Sequence, residues 1–204
     1  FSQQPIFDLY GSDLEKNLRK AGFKVHQIIL ENSEGAKSLS SMETIYSQLI
    51  AIGCDRSSSF LALGGGVVGD ATGFAAATFM RGVEYYQIPT TFLAMVDSSI
   101  GGKTGINLDS GKNLVGAIWQ PKLVLIDPNH LISLPKREVV SALGEVLKYG
   151  AISDRPFFNY LSDNLDELLG MENPHLSEIV IRKCVELKAK IVEQDECEGD
   201  LRRI

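Results

Sequence analysis

Cysteine is scarce in this chain, and its pattern argues against a cross-linked secreted domain. The 204 residues hold three cysteines. Cys54, Cys184 and Cys197 are odd in number, widely spaced and without a Cys-x-x-Cys pair, which is the usage of a reducing compartment. Histidine is equally sparse: His26, His130 and His175 are scattered, and no two stand at metal-ligand spacing. No apolar run approaches the length of a membrane span, and no signal peptide is recognisable. Positive charge is short as well. A net charge of −6 excludes the basic footprint of a nucleic-acid binder, so any anion site must be built from locally placed lysines and arginines. Hydrophobic residues at 44% and charged residues at 23% are ordinary for a soluble globular protein able to bury a core. The expectation is a cytoplasmic protein with no nucleic-acid and no membrane partner. The chain begins at Phe1 and stops inside a charged segment, so it is expected to be part of something longer, truncated at both ends.

Glycine and lysine are what the chain does have, and they are concentrated. Residues 97–113 join two lysines, two asparagines and two aspartates to a run of glycines, with little apolar content to bury. Glycine lets backbone approach a ligand or take positive φ, and lysine acts there as a point charge for phosphate or carboxylate. The stretch reads as a ligand-handling loop.

The chain divides near residue 127. Residues 1–127 alternate short apolar strands with helical patterns, the signature of a sheet flanked by helices. Val25–Leu30, Phe60–Leu63, Tyr85–Ile88 and Leu123–Ile126 are predicted strands. Leu39–Ile52 and Asp70–Met80 are predicted helices, and Thr91–Val96 also has helical character. Residues 128–204 show no strand signal. Ser133 and Pro135 mark a helix start and Gly150 its stop, while Leu176–Gln194 is apolar at helical spacing.

Gly64, Gly66 and Gly69 fit G-x-G-x-x-G after a strand and before a helix, the context of a dinucleotide fingerprint. Bare backbone there can approach a pyrophosphate, and the helix N-terminus offers N–H donors. A tight turn that binds nothing is the alternative, and the loop lies later in the chain than the usual first βα turn. Gly102, Lys103 and Thr104 suggest a triphosphate P-loop, but that motif needs glycine where Asp97 stands, so an ATPase is rejected. Glu145 and Lys148 share a helix face, which by itself describes a surface ion pair. Lys188 and Arg202 by themselves are ordinary solvated charges.

Taken in order, the motifs add up to a family. They are Leu-Gly-Gly-Gly-Val-Val-Gly-Asp (63–70), Pro-Thr-Thr (89–91), Val-Asp-Ser-Ser-Ile-Gly-Gly-Lys-Thr-Gly-Ile-Asn (96–107), Gly-Lys-Asn (111–113), Gln-Pro-Lys (120–122), Gly-Glu-Val-Leu-Lys-Tyr-Gly (144–150) and Glu-Leu-Lys-Ala (186–189). The chain closely resembles the 3-dehydroquinate synthase family of sugar-phosphate cyclases, over essentially its whole length.

That resemblance implies an α/β fold: an N-terminal Rossmann-like NAD-binding domain (1–127), followed by an all-helical metal-binding domain (128–204), in a homodimer whose site lies in the cleft between the domains. The family's reaction turns 3-deoxy-D-arabino-heptulosonate 7-phosphate into 3-dehydroquinate and phosphate, with NAD regenerated each turnover and a bound zinc or cobalt as Lewis acid. It is a lyase reaction of the shikimate pathway, which leads to the aromatic amino acids. By position, the resemblance places Glu34, Lys37, Gly65, Gly66, Val67, Asp70, Thr90, Thr91, Lys112, Ser133 and Glu138 at NAD. Asp97, Lys103, Asn113, Lys148, Lys188 and Arg202 are placed at the phosphorylated seven-carbon sugar acid, with Arg81 reaching across the dimer. Glu145 is implied as a metal ligand. The family's two zinc histidines have no counterpart in this chain, so weak or no zinc binding and no activity of the piece alone are expected. The other readings are a sibling cyclase, a metal-dependent polyol dehydrogenase, or an inactive cofactor-binding remnant.

Overall fold

The computed structural model describes residues 1–171, 173–197 and 199. The fold is α/β, with a parallel sheet and many helices. Two compact units divide it. One comprises Phe1–Ile88 with Gly102–Leu125, the other Pro89–Gly101 with the chain from Ile126 onward. A single division at 127/128 therefore misses an excursion at residues 89–101. The reason is hydrophobic: Phe92, Met95 and Val96 belong to the core of the second unit, beside Val146, Tyr149 and Cys184.

The first unit contains β1 (Ser2–Gln3), α1 (Gln4–Ile6), α2 (Ser12–Lys20), β2 (Ile29–Leu30), α3 (Leu39–Ala51), β3 (Ser59–Gly64), α4 (Gly66–Thr78), β4 (Glu84–Pro89), β5 (Lys103–Leu108), β6 (Gly111–Ile118) and β7 (Leu123–Val124). Five strands form one sheet in the order β2-β1-β3-β4-β7. The pairing is parallel for β1 with β2, β1 with β3, and β4 with β7. Phe60 and Ala62 of β3 lie under Val68, Ala71 and Ala75 of α4 in one core, which Met42, Ile45 and Leu49 of α3 also enter. The start of α3 is set by Ser38, whose hydroxyl accepts from the Ser41 amide at 3.2 Å.

Several elements differ from the sequence expectation. The predicted strand Val25–Leu30 shortens to Ile29–Leu30, and the predicted Leu123–Ile126 to Leu123–Val124. The helix expected from Asp70 begins at Gly66 and ends at Thr78, before Met80 and Arg81 take φ of 51° and 68°. The larger correction concerns residues 97–113. Rather than one loop, they contribute part of a helical segment (Ala94–Ser98) and then an antiparallel hairpin, β5 with β6. The glycines there are packing residues as well as ligand-approach residues. Gly105 pairs with Gly116 across the hairpin, and a Cβ on Gly116 would sit 2.2 Å from the Thr104 carbonyl oxygen. Likewise, a Cβ on Gly73 of α4 would stand 2.4 Å from Thr104 Cγ2, so a bare helix face lets β5 lie against α4.

The second unit holds α5 (Lys136–Ser153), α6 (Arg155–Asp163), α7 (Leu165–Gly170) and α8 (Pro174–Gln194). Gly150 does not stop its helix. It lies inside α5 because a Cβ there would come within 2.9 Å of Phe158 Cα in α6; the glycine marks a helix crossing. Asp154 caps α6 by accepting from the Phe157 amide at 2.9 Å, and Asn173 caps α8 through the His175 and Leu176 amides. Buried apolar residues of α8 run Leu176, Val180, Ile181, Cys184 and Leu187. Among the described residues, no helix is long and apolar enough to cross a membrane.

The facing glycines yield a test. Gly116→Ala should destabilise the fold by about 1–3 kcal/mol, since the clash is with fixed backbone rather than a movable side chain. Urea midpoints of the variant and the parent measure it.

Candidate active site

In the first unit the site begins where β3 ends. Gly65 occupies the N-cap position of α4 and brings no capping side chain, and the first turn carries no acidic residue. The first amides of α4 are thus left to an external acceptor, in the field of the helix N-terminus. Gly69 lies close under the sheet: a Cβ there would meet Gln87 Oε1 at 2.8 Å. Val67 is half-buried beside the core.

One turn into α4, Asp70 faces Lys37. The Lys37 ammonium, on a residue only 4% exposed, donates to Asp70 Oδ2 at 2.6 Å and to Asn113 Oδ1 at 2.6 Å. Burial pushes the Asp70 carboxyl above its ordinary value, and the Lys37 charge offsets only part of that. Asn113 holds left-handed backbone at φ 56°, and its amide donates to Asn107 Oδ1 at 2.9 Å. Asn107 in turn donates to Glu34 Oε2 at 2.8 Å. Glu34, Lys37, Asp70 and Asn113, far apart in sequence, are thereby joined in one network. Lys103 and Lys112 lie exposed on the hairpin. Arg81 is exposed in a turn with three consecutive positive φ values, Met80, Arg81 and Gly82. The Trp119 ring covers Gly82, where a Cβ would approach it to 2.6 Å.

In the second unit the centre is Asp97. Its Oδ1 accepts from Lys188 Nζ at 2.5 Å and from Tyr149 Oη at 2.6 Å, and its backbone carbonyl accepts from Lys188 at 2.7 Å. Burial works to raise the Asp97 carboxyl, but Lys188, the Tyr149 hydroxyl and Lys148 together outweigh it and hold the group below the usual carboxylate range. For Tyr149 the signs all agree. Burial, then the Asp97 and Glu145 charges, push its phenol far up, so it remains a donor. Glu145 and Lys148 form the i,i+3 ion pair of α5, and Lys148 also lies 5.6 Å from the centre of the Tyr149 ring. Burial first, with Glu145 and Asp97 adding, pushes the Cys184 thiol up to about 12, so Cys184 is a neutral packing residue. Thr90 is buried with no hydrogen-bond partner for its hydroxyl, while Thr91 accepts from the Ala94 amide at 3.2 Å. Ser133 and Glu138 are exposed. Arg202 lies outside the described residues.

Tyr149 is the residue that sequence reasoning missed. Its signal was present in the Lys-Tyr-Gly triplet of the 144–150 motif, but an aromatic on a helix reads as core until its hydroxyl is seen to point at a carboxylate.

In the first unit, the uncapped glycine-led start of α4 fits the phosphates of a dinucleotide; in the second, the orphaned buried Thr90 hydroxyl is by itself a feature that a polar ligand would complete. A metal is different. Among the described residues, no group of three His, Cys, Asp or Glu is arranged to hold one, and Glu145 is engaged by Lys148.

The α/β fold is similar to that of the sugar-phosphate cyclases. The chain superposes with a TM-score of 0.92 and 31% identity on a 2-epi-5-epi-valiolone synthase from Streptomyces hygroscopicus subsp. jinggangensis 5008 with NAD⁺ and Zn²⁺ bound, covering 99% of this chain and 57% of that one. A 2-deoxy-scyllo-inosose synthase complexed with carbaglucose-6-phosphate, NAD⁺ and Co²⁺ is similar at a TM-score of 0.89 and 30% identity, over 98% of this chain and 54% of that one. Within that class the sequence is decisive. The model of the 3-dehydroquinate synthase N-terminal region matches residues 27–141 and that of the C-terminal region matches 142–204, so the chain belongs to the 3-dehydroquinate synthase family. A 3-dehydroquinate synthase of Prochlorococcus marinus subsp. pastoris is 48% identical over 100% of this chain, which spans 56% of that relative's length.

Asp97 supplies a test with a defined sign. A carboxyl held low in the fold contributes stability that is present above its unfolded pKa, about 3.9, and lost as pH falls through the lower folded value. Asp97→Asn should therefore cost about 1–3 kcal/mol near neutral pH, because Lys188 and Tyr149 lose their charged acceptor. The difference from the parent should shrink below pH 4, as urea denaturation at pH 7 and pH 3 will show.

Proposed function

We propose that the protein acts as a 3-dehydroquinate synthase, turning 3-deoxy-D-arabino-heptulosonate 7-phosphate into 3-dehydroquinate and phosphate, a carbon–oxygen lyase reaction of the shikimate pathway. The observation that carries this reading is the Asp97 cluster. An ionised carboxylate shares one oxygen between Lys188 and Tyr149, next to the Lys148 ammonium, in a family member whose net charge is −6. Cations gathered so locally in an acidic chain suit a substrate carrying both a carboxylate and a phosphate. A simple polyol would not call for them.

When bound, NAD supplies a hydride acceptor that returns its hydride within the same turnover. Glu34, Lys37, Gly65, Gly66, Val67, Asp70, Thr90, Thr91, Lys112, Ser133 and Glu138 are the residues proposed to hold it. The α4 amides would take its phosphate oxygens and the Thr90 hydroxyl would gain its missing partner. Lys103, Lys148, Lys188 and Arg202 would neutralise the substrate's anionic groups, with Arg81 serving a second copy in a homodimer. Asp97, anionic at neutral pH, leaves Oδ2 to accept from a substrate hydroxyl, and Asn113 binds a second polar group. Glu145 is proposed as a metal ligand, but the described residues do not complete a metal site, and no step is assigned to a metal. The free cysteines Cys54, Cys184 and Cys197 suit a cytoplasmic location. A sibling cyclase reading is favoured by the likeness to the valiolone synthase. The 48% identity to a 3-dehydroquinate synthase, against 31% there, weighs for the synthase.

The test uses the protein at the full length of its curated relatives. Phosphate release from the heptulosonate phosphate should require NAD⁺ and a divalent metal and yield no net NADH. Lys188→Met and Lys148→Met should each lower kcat/KM by about 10²–10³-fold, the scale of losing one charge-stabilising donor. Release from another seven-carbon sugar phosphate, but not from this one, would move the assignment to a sibling cyclase.

A further inference from the structure

We infer that Asn107 is a positioning residue that couples the proposed cofactor segment, Glu34 to Lys37, to the proposed substrate group Asn113. The roles of those groups rest on the reading above; the coupling itself rests on geometry. Asn107 makes three hydrogen bonds to three residues that would meet ligands. Its backbone amide donates to the Lys37 carbonyl at 2.7 Å, its side-chain NH₂ donates to Glu34 Oε2 at 2.8 Å, and its Oδ1 accepts from the Asn113 amide at 2.9 Å.

The direction of each bond is forced. A carboxylate only accepts, so the Asn107 group facing Glu34 is the NH₂, which leaves Oδ1 for Asn113. An ammonium only donates, so the Asn113 atom facing Lys37 at 2.6 Å is Oδ1. What Asn113 retains for a ligand is therefore its NH₂, a donor suited to a hydroxyl or phosphate oxygen. Hairpin geometry explains why Asn107 can do this. The β5–β6 register shifts between Ile106 and Leu108, paired with Val115 and Gly111, so Asn107 stands opposite Lys112, Asn113 and Leu114. Such a bulge re-aims side chains, and it leaves Asn113 at φ 56°, tethered by Asn107. Glu34 is thereby tied to Asn113 through the Asn107 side chain, whereas Lys37 meets Asn113 both through the Asn107 strand and directly through its ammonium.

Two variants at the full length of the relatives separate this from a merely structural role. Binding is measured by calorimetry, with NAD⁺ and with the heptulosonate phosphate, independently of turnover. Asn107→Leu loses both side-chain bonds and should weaken each ligand about tenfold, the effect of losing a hydrogen bond of ordinary net strength. Asn107→Asp keeps the oxygen that accepts from Asn113 but sets a carboxylate against Glu34. It should weaken NAD⁺ about tenfold while leaving sugar-phosphate binding within about twofold. If Asn107→Leu lowers thermal stability but changes neither affinity, or if Asn107→Asp weakens both ligands equally, the inference is overturned. Should Asn107→Leu not fold, Asn107→Asp alone decides. A parent protein that binds both ligands yet releases no phosphate sinks the proposed reaction and leaves the coupling to be judged on the affinities.

Discussion

The buried ammonium of Lys37 is the constraint around which the first unit is arranged. A lysine with almost no solvent must satisfy its charge internally, because an unpaired buried cation is strongly destabilising. Its two side-chain acceptors come from distant parts of the chain: Asp70 from the first turns of α4, and Asn113 from the bulged strand β6. Satisfying one charge therefore locks the segment after β2, the glycine-led helix and the hairpin into a single arrangement. Removing either acceptor would cost more than one hydrogen bond, since the charge would remain. The same arrangement keeps Asp70 beside the uncapped start of α4 and holds the Asn113 side chain in one orientation.

The second unit solves a related problem with opposite sign. Asp97 is a partly buried carboxylate, and the charge is supported by Lys188, by the Tyr149 hydroxyl and at longer range by Lys148. Tyr149 links the groups by touching two of them, Asp97 through its oxygen and Lys148 through its ring. Its strongly raised pKa is a consequence of that position, and it keeps the hydroxyl proton in place to donate. Asp97 also explains why residues 89–101 join this unit. Phe92, Met95 and Val96 anchor the segment in the helical core, and the carboxylate emerges one residue after the anchor.

Much of this was legible in the sequence, and what was not has physical reasons. The strand–glycine–helix unit at 59–78 was readable because an apolar run followed by closely spaced glycines has few other meanings. The hairpin was not, because its glycines look like loop residues until Gly105 is seen facing Gly116 and Gly73 facing Thr104. Gly150 misled for the same reason: a glycine near a helix end suggests a cap, and only the approach of Phe158 shows a helix crossing. Lys37 and Asp70 are 33 residues apart, and no periodicity relates them; only resemblance brought them to one site, and it did not foresee Lys37 on Asn113. The Glu145–Lys148 pair was fully legible, since three-residue spacing on a helix is local geometry.

A common electrostatic design runs through both units. Lys37 is paired with Asp70, Lys188 with Asp97 and Lys148 with Glu145. In a chain of net charge −6, this lets cations be gathered without raising the self-repulsion of the fold, because each carries its own counter-charge. It also restricts what can bind. A singly charged anion would have to displace a carboxylate that is already at hydrogen-bond distance and is favoured by proximity. A ligand bearing two anionic groups and several hydroxyls can engage a lysine without evicting its partner: the hydroxyls donate to the carboxylate while the anions accept from the ammonium. Pairs of this kind therefore favour polyhydroxylated, multiply charged molecules over inorganic anions and neutral polyols. On the proposed reading of the site, selectivity within these pairs would come from neighbouring opposite charges rather than from a bare basic patch.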